Sequence, residues 1–170
     1  VVQPGHDACV RCEAEIASHG EPIPLIHRSV WQRTFGPQRS TFLAIRNQSG
    51  TCVNGVAVEQ TTTRALPGHY VMRVRRFAGS RDAAIVQALV RGLADHSRRT
   101  PRILALHLEV FNRDAAVRES VAAACVANGF KANPVPRSYR KTVVVDLQGS
   151  EDEIFANFGW HARKYLRGVV

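Results

Sequence analysis

No stretch of this chain comes near the ~20 consecutive apolar residues that a membrane-spanning helix needs. Its first residues lack the basic-then-apolar pattern of a signal peptide. No internal repeat and no low-complexity tract is visible. Lysine is nearly missing: only three of the 23 basic residues are Lys, and the other twenty are Arg. Acidic residues are short as well, 14 in number, so the formal net charge is +9. Such an excess attracts polyanions, among them nucleic acid, nucleotide phosphates and anionic head groups. Arg in place of Lys is equally what genome composition alone produces on a solvated surface.

A second cysteine cluster is also lacking. Cys9-Val-Arg-Cys12 forms a CxxC, with His6 three residues before it. A zinc site needs four ligands, normally in two clusters, and Cys52 and Cys125 stand alone in apolar runs. A redox CxxC wants a strand before it, where Pro4-Gly5 stands instead. No metal is therefore expected, and Cys52 and Cys125 read as small buried hydrophobes. Nothing in the pattern demands disulfides, so a reducing, cytoplasmic compartment is the expectation.

What is present suits one globular domain. The 170 residues are 45% hydrophobic, enough to bury a single core. Residues 8–19 and 26–35 read as short helices. Residues 41–45 and 52–58 read as a hairpin around Asn47-Gln48-Ser49-Gly50. His69–Arg76 is a third strand. Residues 82–96 change to helical period, with Asp82 at the start and Arg98-Arg99 at the end, as the helix dipole favours. The apolar run Ile103–Val110 predicts a strand buried on both faces. A helix from about Asp114 to Asn128 ends at Gly129-Phe130, a left-handed cap with its apolar contact. Tyr139–Leu147 is a β-branched strand. Ser150-Glu151-Asp152-Glu153 is a capping box opening a last helix, about 151–167. This order predicts an α/β fold: a mixed, partly parallel sheet flanked by helices.

In such sheets ligands sit beyond the carboxyl ends of parallel strands. One such end is Arg75-Arg76-Phe77-Ala78-Gly79-Ser80-Arg81. A Gly-containing turn before a helix presents N–H groups to an anion, and Arg75, Arg76 and Arg81 add charge. An ordinary strand–helix turn would need the same Gly. The other end carries His107 and Glu109 on one strand face. Glu109 is the candidate catalytic base, a carboxylate able to take the proton of an attacking amine; an ion pair with one of the many Arg residues is the alternative. Arg73 and Arg75 share a face with Val71, which suggests a groove or a partner-facing surface. Arg163, Lys164 and Arg167 could grip a phosphate-bearing substrate or simply suit a helix C-terminus.

Several of these segments together resemble the Fem family of peptidoglycan aminoacyltransferases. They are Tyr139–Leu147 with its terminal Asp146-Leu147, the Ser150–Phe155 helix start, and Arg163-Lys164-Tyr165-Leu166-Arg167. His107-Leu108-Glu109, the ending Asn128-Gly129-Phe130, and Trp31 before the hairpin are similar to its middle section and entry helix. The resemblance covers about residues 24–168. It implies an acyl-CoA N-acyltransferase (GNAT) fold, used by the family in tandem pairs. It also implies transfer of an amino acid from aminoacyl-tRNA to an amine of a peptidoglycan precursor, without a metal or tightly held cofactor. A lipid-linked acceptor would make the protein peripheral to the membrane. On this basis residues 1–25 are an extension or linker, 26–150 the GNAT-like domain, and 151–170 a helix leading toward a second domain. Tyr165 and Leu166 are then expected at a boundary with that domain, or in self-association where it is missing.

The superfamily's acyl-CoA loop resembles Arg/Gln-x-x-Gly-x-Gly/Ala. Arg76 and Gly79 match it, but Arg81 stands at the last position, where a side chain crowds a pyrophosphate. The departure favours a donor other than acyl-CoA, or a domain that has lost its donor site. An acyl-CoA-dependent N-acyltransferase and a non-catalytic basic domain of the same fold that docks RNA or an anionic surface are the alternatives.

Overall fold

The computed structural model describes residues 7–20, 23–34, 40–133 and 148–167. The chain forms two compact units, Val1–Lys131 and Ala132–Val170. In the first unit the elements are α1 (Asp7–Ser18), a 3-10 turn (Leu25–His27), α2 (Ser29–Thr34), β1 (Ser40–Arg46), β2 (Cys52–Thr62), β3 (Tyr70–Phe77), α3 (Ala83–Arg99), β4 (Ile103–Val110) and α4 (Ala115–Ala127). The sheet order is β1-β2-β3-β4. The first three strands run antiparallel, and β3 and β4 are parallel. This is a mixed α/β fold, as the alternation of periods implies.

Period-2 alternation splits the sheet into two faces. Leu43, Val56, Val58, Met72 and Val74 point to one side, where Val86, Leu89, Val90 and Leu93 of α3 meet them. Those four α3 residues are fully buried and contribute about 1.5–3 kcal/mol each. Asp82 caps α3 by accepting from Ala84 N (2.8 Å) and Ile85 N (3.4 Å). α4 packs beside α3, and its last carbonyls are closed by Gly129 at φ 82°.

The other face is covered at its β1–β2 end by α1. Cys9, Cys12 and Ile16 bury against Phe42, Cys52 and Ala57. Alternation alone would put Cys52 on the α3 face with Val56 and Val58. A register shift between β1 and β2, with Ile45 opposite Asn54 and Arg46 opposite Cys52, turns it over. The result is a Cys12–Cys52 disulfide across 40 residues of sequence. This corrects the sequence reading in which no cysteine needed a partner. Cys9 and Cys125 stay free thiols.

Two further expectations are corrected. β4 is not buried on both faces: among the described residues it edges the sheet, with Leu104 46% and Val110 38% exposed. The last helix is not continuous. In the second unit α5 (Glu151–Asn157) stops where Phe158 turns extended (φ −74°, ψ 140°), and α6 (Trp160–Arg167) starts after Gly159. A Gly inside a helix forfeits backbone entropy, which favours the break there. The capping box at Ser150 and Glu153 forms as read. The strand expected over 139–147, and the side chains of Tyr165, Leu166 and Arg167, lie outside the described residues. No described helix is long and apolar enough to cross a membrane.

Candidate site at the carboxyl end of the parallel strands

Beyond Glu59 and Arg73 the sheet opens. The β2–β3 ladder ends at that pair. The β3–β4 register skips Arg75 and Arg76, passing from Val74 opposite Leu108 to Phe77 opposite Val110. Arg76 takes φ 51°, a left-handed conformation that a non-Gly residue adopts rarely. Its guanidinium stands 5.6 Å over the Phe111 ring. Phe111 N donates to Phe77 O at 2.9 Å and so closes the pair again.

His27 of the 3-10 turn sits at the β2–β3 opening. It is 2% exposed. Its Nδ1 accepts from Ala57 N at 3.2 Å, so the neutral ring carries its proton on Nε2. That Nε2 is buried without a well-formed hydrogen bond, although the backbone of Arg75 and Arg76 lies close enough to favour the proton. Burial, aided by the Arg75 charge, pushes the imidazole down from 6.5 to about 4. A cavity of about 10 Å³, roughly the room of one water, lies beside it, lined by Asn54, Gly55, Phe77, Ala78 and Gly79 among others.

The loop that follows is closely tied. Asn112 Nδ2 donates to Ala78 O at 2.6 Å. Ser80 is 4% exposed, and its Oγ accepts from Asp82 N at 3.1 Å. Gly79 has φ 73°, and a Cβ there would lie 2.9 Å from methyls of Val117 and Val121. Gly79 is therefore required by the contact with α4, whatever ligand the loop meets. Two amides in the first turn of α3, Ala84 N and Ile85 N, are already taken by the Asp82 carboxylate. Arg81 is exposed at the rim.

The arginines that share a face with Val71 have different surroundings. Arg75 is committed to Glu59 by a two-pronged pair, Nε to Oε2 at 2.9 Å and Nη2 to Oε1 at 2.6 Å. Glu59 is buried, 4% exposed. Arg73 lies opposite Glu59 on one side and His107 on the other. Glu109 continues that face of β4 and is exposed, so its carboxylate is open to solvent. The structure thus gathers Arg73, Arg75, Arg76, His107 and Glu109 around the open end of β3. Arg163 and Lys164 belong to the second unit, where Lys164 Nζ stands 5.4 Å from the Trp160 ring.

Sequence reasoning missed His27 and Glu59. Glu59 falls just past the strand end read from the sequence, and His27 was submerged in an apolar helix pattern. Cys12, Cys52 and Glu15 also come together, their donor atoms within 4.8 Å. The disulfide engages both sulfurs, and the Glu15 carboxylate accepts from Cys52 N at 2.7 Å. Compared with known proteins, the chain matches no family model, no curated protein and no solved structure.

Proposed function

We propose that this chain is an acyl-transfer domain of Fem type with a GNAT-like fold. In this reading it passes an amino acid from aminoacyl-tRNA to an amine of a peptidoglycan precursor. The observation that carries the reading is the opening at the carboxyl end of β3, parted there from β2 and out of register with β4. Ligand sites of open α/β sheets lie at such ends. The exposed Glu109 carboxylate stands on the face beside it. The attacking amine adds to the ester carbonyl and must lose a proton. Glu109 accepts that proton and passes it to the ribose oxygen as the ester C–O bond breaks, so the tRNA leaves with its hydroxyl restored and Glu109 returns to the carboxylate.

The donor is argued from the loop. Asp82 already takes two of the first α3 amides, and Ser80 is buried. A pyrophosphate therefore meets little open backbone there, which disfavours acyl-CoA. A tRNA needs no such cradle, because its phosphates can be met by arginines spread over the surface, Arg81 and Arg76 at the rim included. Arg163, Lys164 and Arg167 are further candidates for phosphate on either substrate.

Binding of the two donors to the protein that carries this chain tests the reading. Charged tRNA should bind with an affinity that falls steeply with salt. Acetyl-CoA and longer acyl-CoAs should give no heat in calorimetry. Acyl-CoA binding that weakens in Arg76→Ala would replace this reading with an acyl-CoA-dependent N-acyltransferase.

A further inference from the structure

The CxxC of Cys9 and Cys12 has no second cluster in the sequence, and the fold supplies one. The register shift between β1 and β2 turns Cys52 toward α1, where it meets Cys12. Glu15 follows Cys12 by three residues and so shares its face of α1. The donor atoms of Cys12, Cys52 and Glu15 all lie within 4.8 Å of one another. Both cysteines are closed to solvent, while the side chains of Glu15 and Arg46 form a rim, 38% and 46% exposed.

In the oxidised protein the two sulfurs bond to each other, and that bond needs neither a carboxylate nor a cation beside it. Both are present. Arg46 Nη2 donates to Cys12 Sγ at 3.3 Å, although a neutral sulfur is a weak acceptor. Glu15 Oε2 accepts from Cys52 N at 2.7 Å and lies 3.7 Å from Arg46 Nη1. Among the described residues, the other oxygen, Oε1, is left over. These surroundings suit a pair of thiolates holding a cation. Two thiolates and a carboxylate are neutralised by one divalent ion together with Arg46. N–H donors to a ligand sulfur and to a ligand carboxylate are the partners that orient metal ligands.

We infer that Cys12, Cys52 and Glu15 form a redox-dependent site for a thiophilic divalent cation, Zn²⁺ by the chemistry of its donors. A dithiol reductant opens the site. The dithiol becomes a disulfide, and Cys12 and Cys52 each gain one electron and one proton as the bond between them breaks. Zn²⁺ then displaces the two thiol protons to water. Two sulfurs, one carboxylate oxygen and a water complete the four-coordinate set of zinc. Tetrahedral bonds of about 2.3 Å to sulfur and 2.1 Å to oxygen set ligand atoms about 3.6–3.8 Å apart. The sulfurs therefore part on reduction, and the ion takes the room between them, reaching it past the exposed Glu15. It ties α1 to β2 where the disulfide did, and reoxidation expels it. This inference does not rest on the acyl-transfer reading. Failure of donor binding or of acyl transfer leaves it standing, and its own failure leaves them untouched.

The test uses the full chain, reduced with a phosphine that is then removed without air, and titrated with Co²⁺ as a spectroscopic stand-in for Zn²⁺. The reduced protein should take up one Co²⁺ per chain. It should show the thiolate-to-cobalt charge-transfer band in the near ultraviolet and the visible bands of a tetrahedral ion, and Zn²⁺ should erase both. The disulfide form should show neither. Cys52→Ser should lose the charge-transfer band, and Glu15→Gln should bind Co²⁺ about tenfold or more weakly. Cys9→Ser should match the parent, since Cys9 is no ligand. Melting of the parent needs no variant: Zn²⁺ at about 100 times its Kd should raise the melting temperature of the reduced protein and leave that of the oxidised protein where it was. A reduced parent without the charge-transfer band overturns the inference, as does a melting temperature indifferent to Zn²⁺. Undiminished affinity in Glu15→Gln, a band kept in Cys52→Ser or a band lost in Cys9→Ser would overturn it equally.

Discussion

Acid should unfold this protein through His27. The ring is buried, and its Nδ1 is committed to the Ala57 amide. Its folded pKa lies at about 4 against 6.5, chiefly because burial disfavours the charged form. Between those values the unfolded chain takes up a proton that the native ring refuses. The contribution of His27 to stability is therefore level above 6.5, falls as pH drops through the window, and levels again below about 4. At about 1.4 kcal/mol for each pH unit across that window, the full loss is roughly 3 kcal/mol. That is a large part of a typical domain's stability. The assay is urea unfolding at a series of pH values for the parent and for His27→Asn, whose Oδ1 can still accept from Ala57. Carboxylates lose stability in acid in both proteins, so the difference between the two curves isolates the imidazole. The parent should lose roughly 3 kcal/mol more than the variant between pH 7 and 4. Parallel curves would show that His27 takes its proton without opening the fold, and would refute its placement between β2 and β3.

Other consequences follow from particular contacts. Reducing Cys12–Cys52, or replacing both by Ser, should cost about 4 kcal/mol from the 40-residue separation; equal urea midpoints with and without dithiothreitol would contradict the pairing. Gly79→Ala should lose roughly 2–3 kcal/mol, because φ 73° and the Val117 and Val121 methyls both oppose a Cβ; a melting temperature unchanged from the parent would show that this loop is not packed on α4. The Cys9 thiol, raised to about 12 by burial and by the Glu13 carboxylate, should resist iodoacetamide at pH 8 in the folded protein and react only on unfolding; rapid labelling in native buffer would show that α1 does not cover it.

Much of the fold was legible because period and punctuation agree. α3 reads from Ile85, Val86, Leu89, Val90 and Leu93, and its cap from Asp82. β4 matches its apolar run from Ile103 to Val110. The faces were harder. The β1–β2 shift turns Cys52 toward Cys12, and one-residue shifts leave no mark in composition. The break between α5 and α6 hides in an apolar pattern that continues across Gly159. The candidate site reads from the sequence only as a place, the end of β3, and not as a set of partners. Arg75 and Arg73 look alike in sequence, two residues apart on one strand. Glu59 lies directly across from Arg73, yet its carboxylate is held by Arg75, and strand pairing alone does not reveal that choice. His27 could not be placed at all without the divergence of β2 from β3.

The most direct measurement of the central claim is transfer itself. The protein carrying this chain is incubated with tRNA charged with a radiolabelled amino acid and with a lipid-linked peptidoglycan precursor bearing a free amine. The proposed function predicts label on the precursor, at a rate that falls at least tenfold in Glu109→Gln, the lower part of the range for a positioned acid–base group. Label that stays on the tRNA, while an acyl-CoA donor acylates an amine in the same mixture, would contradict it.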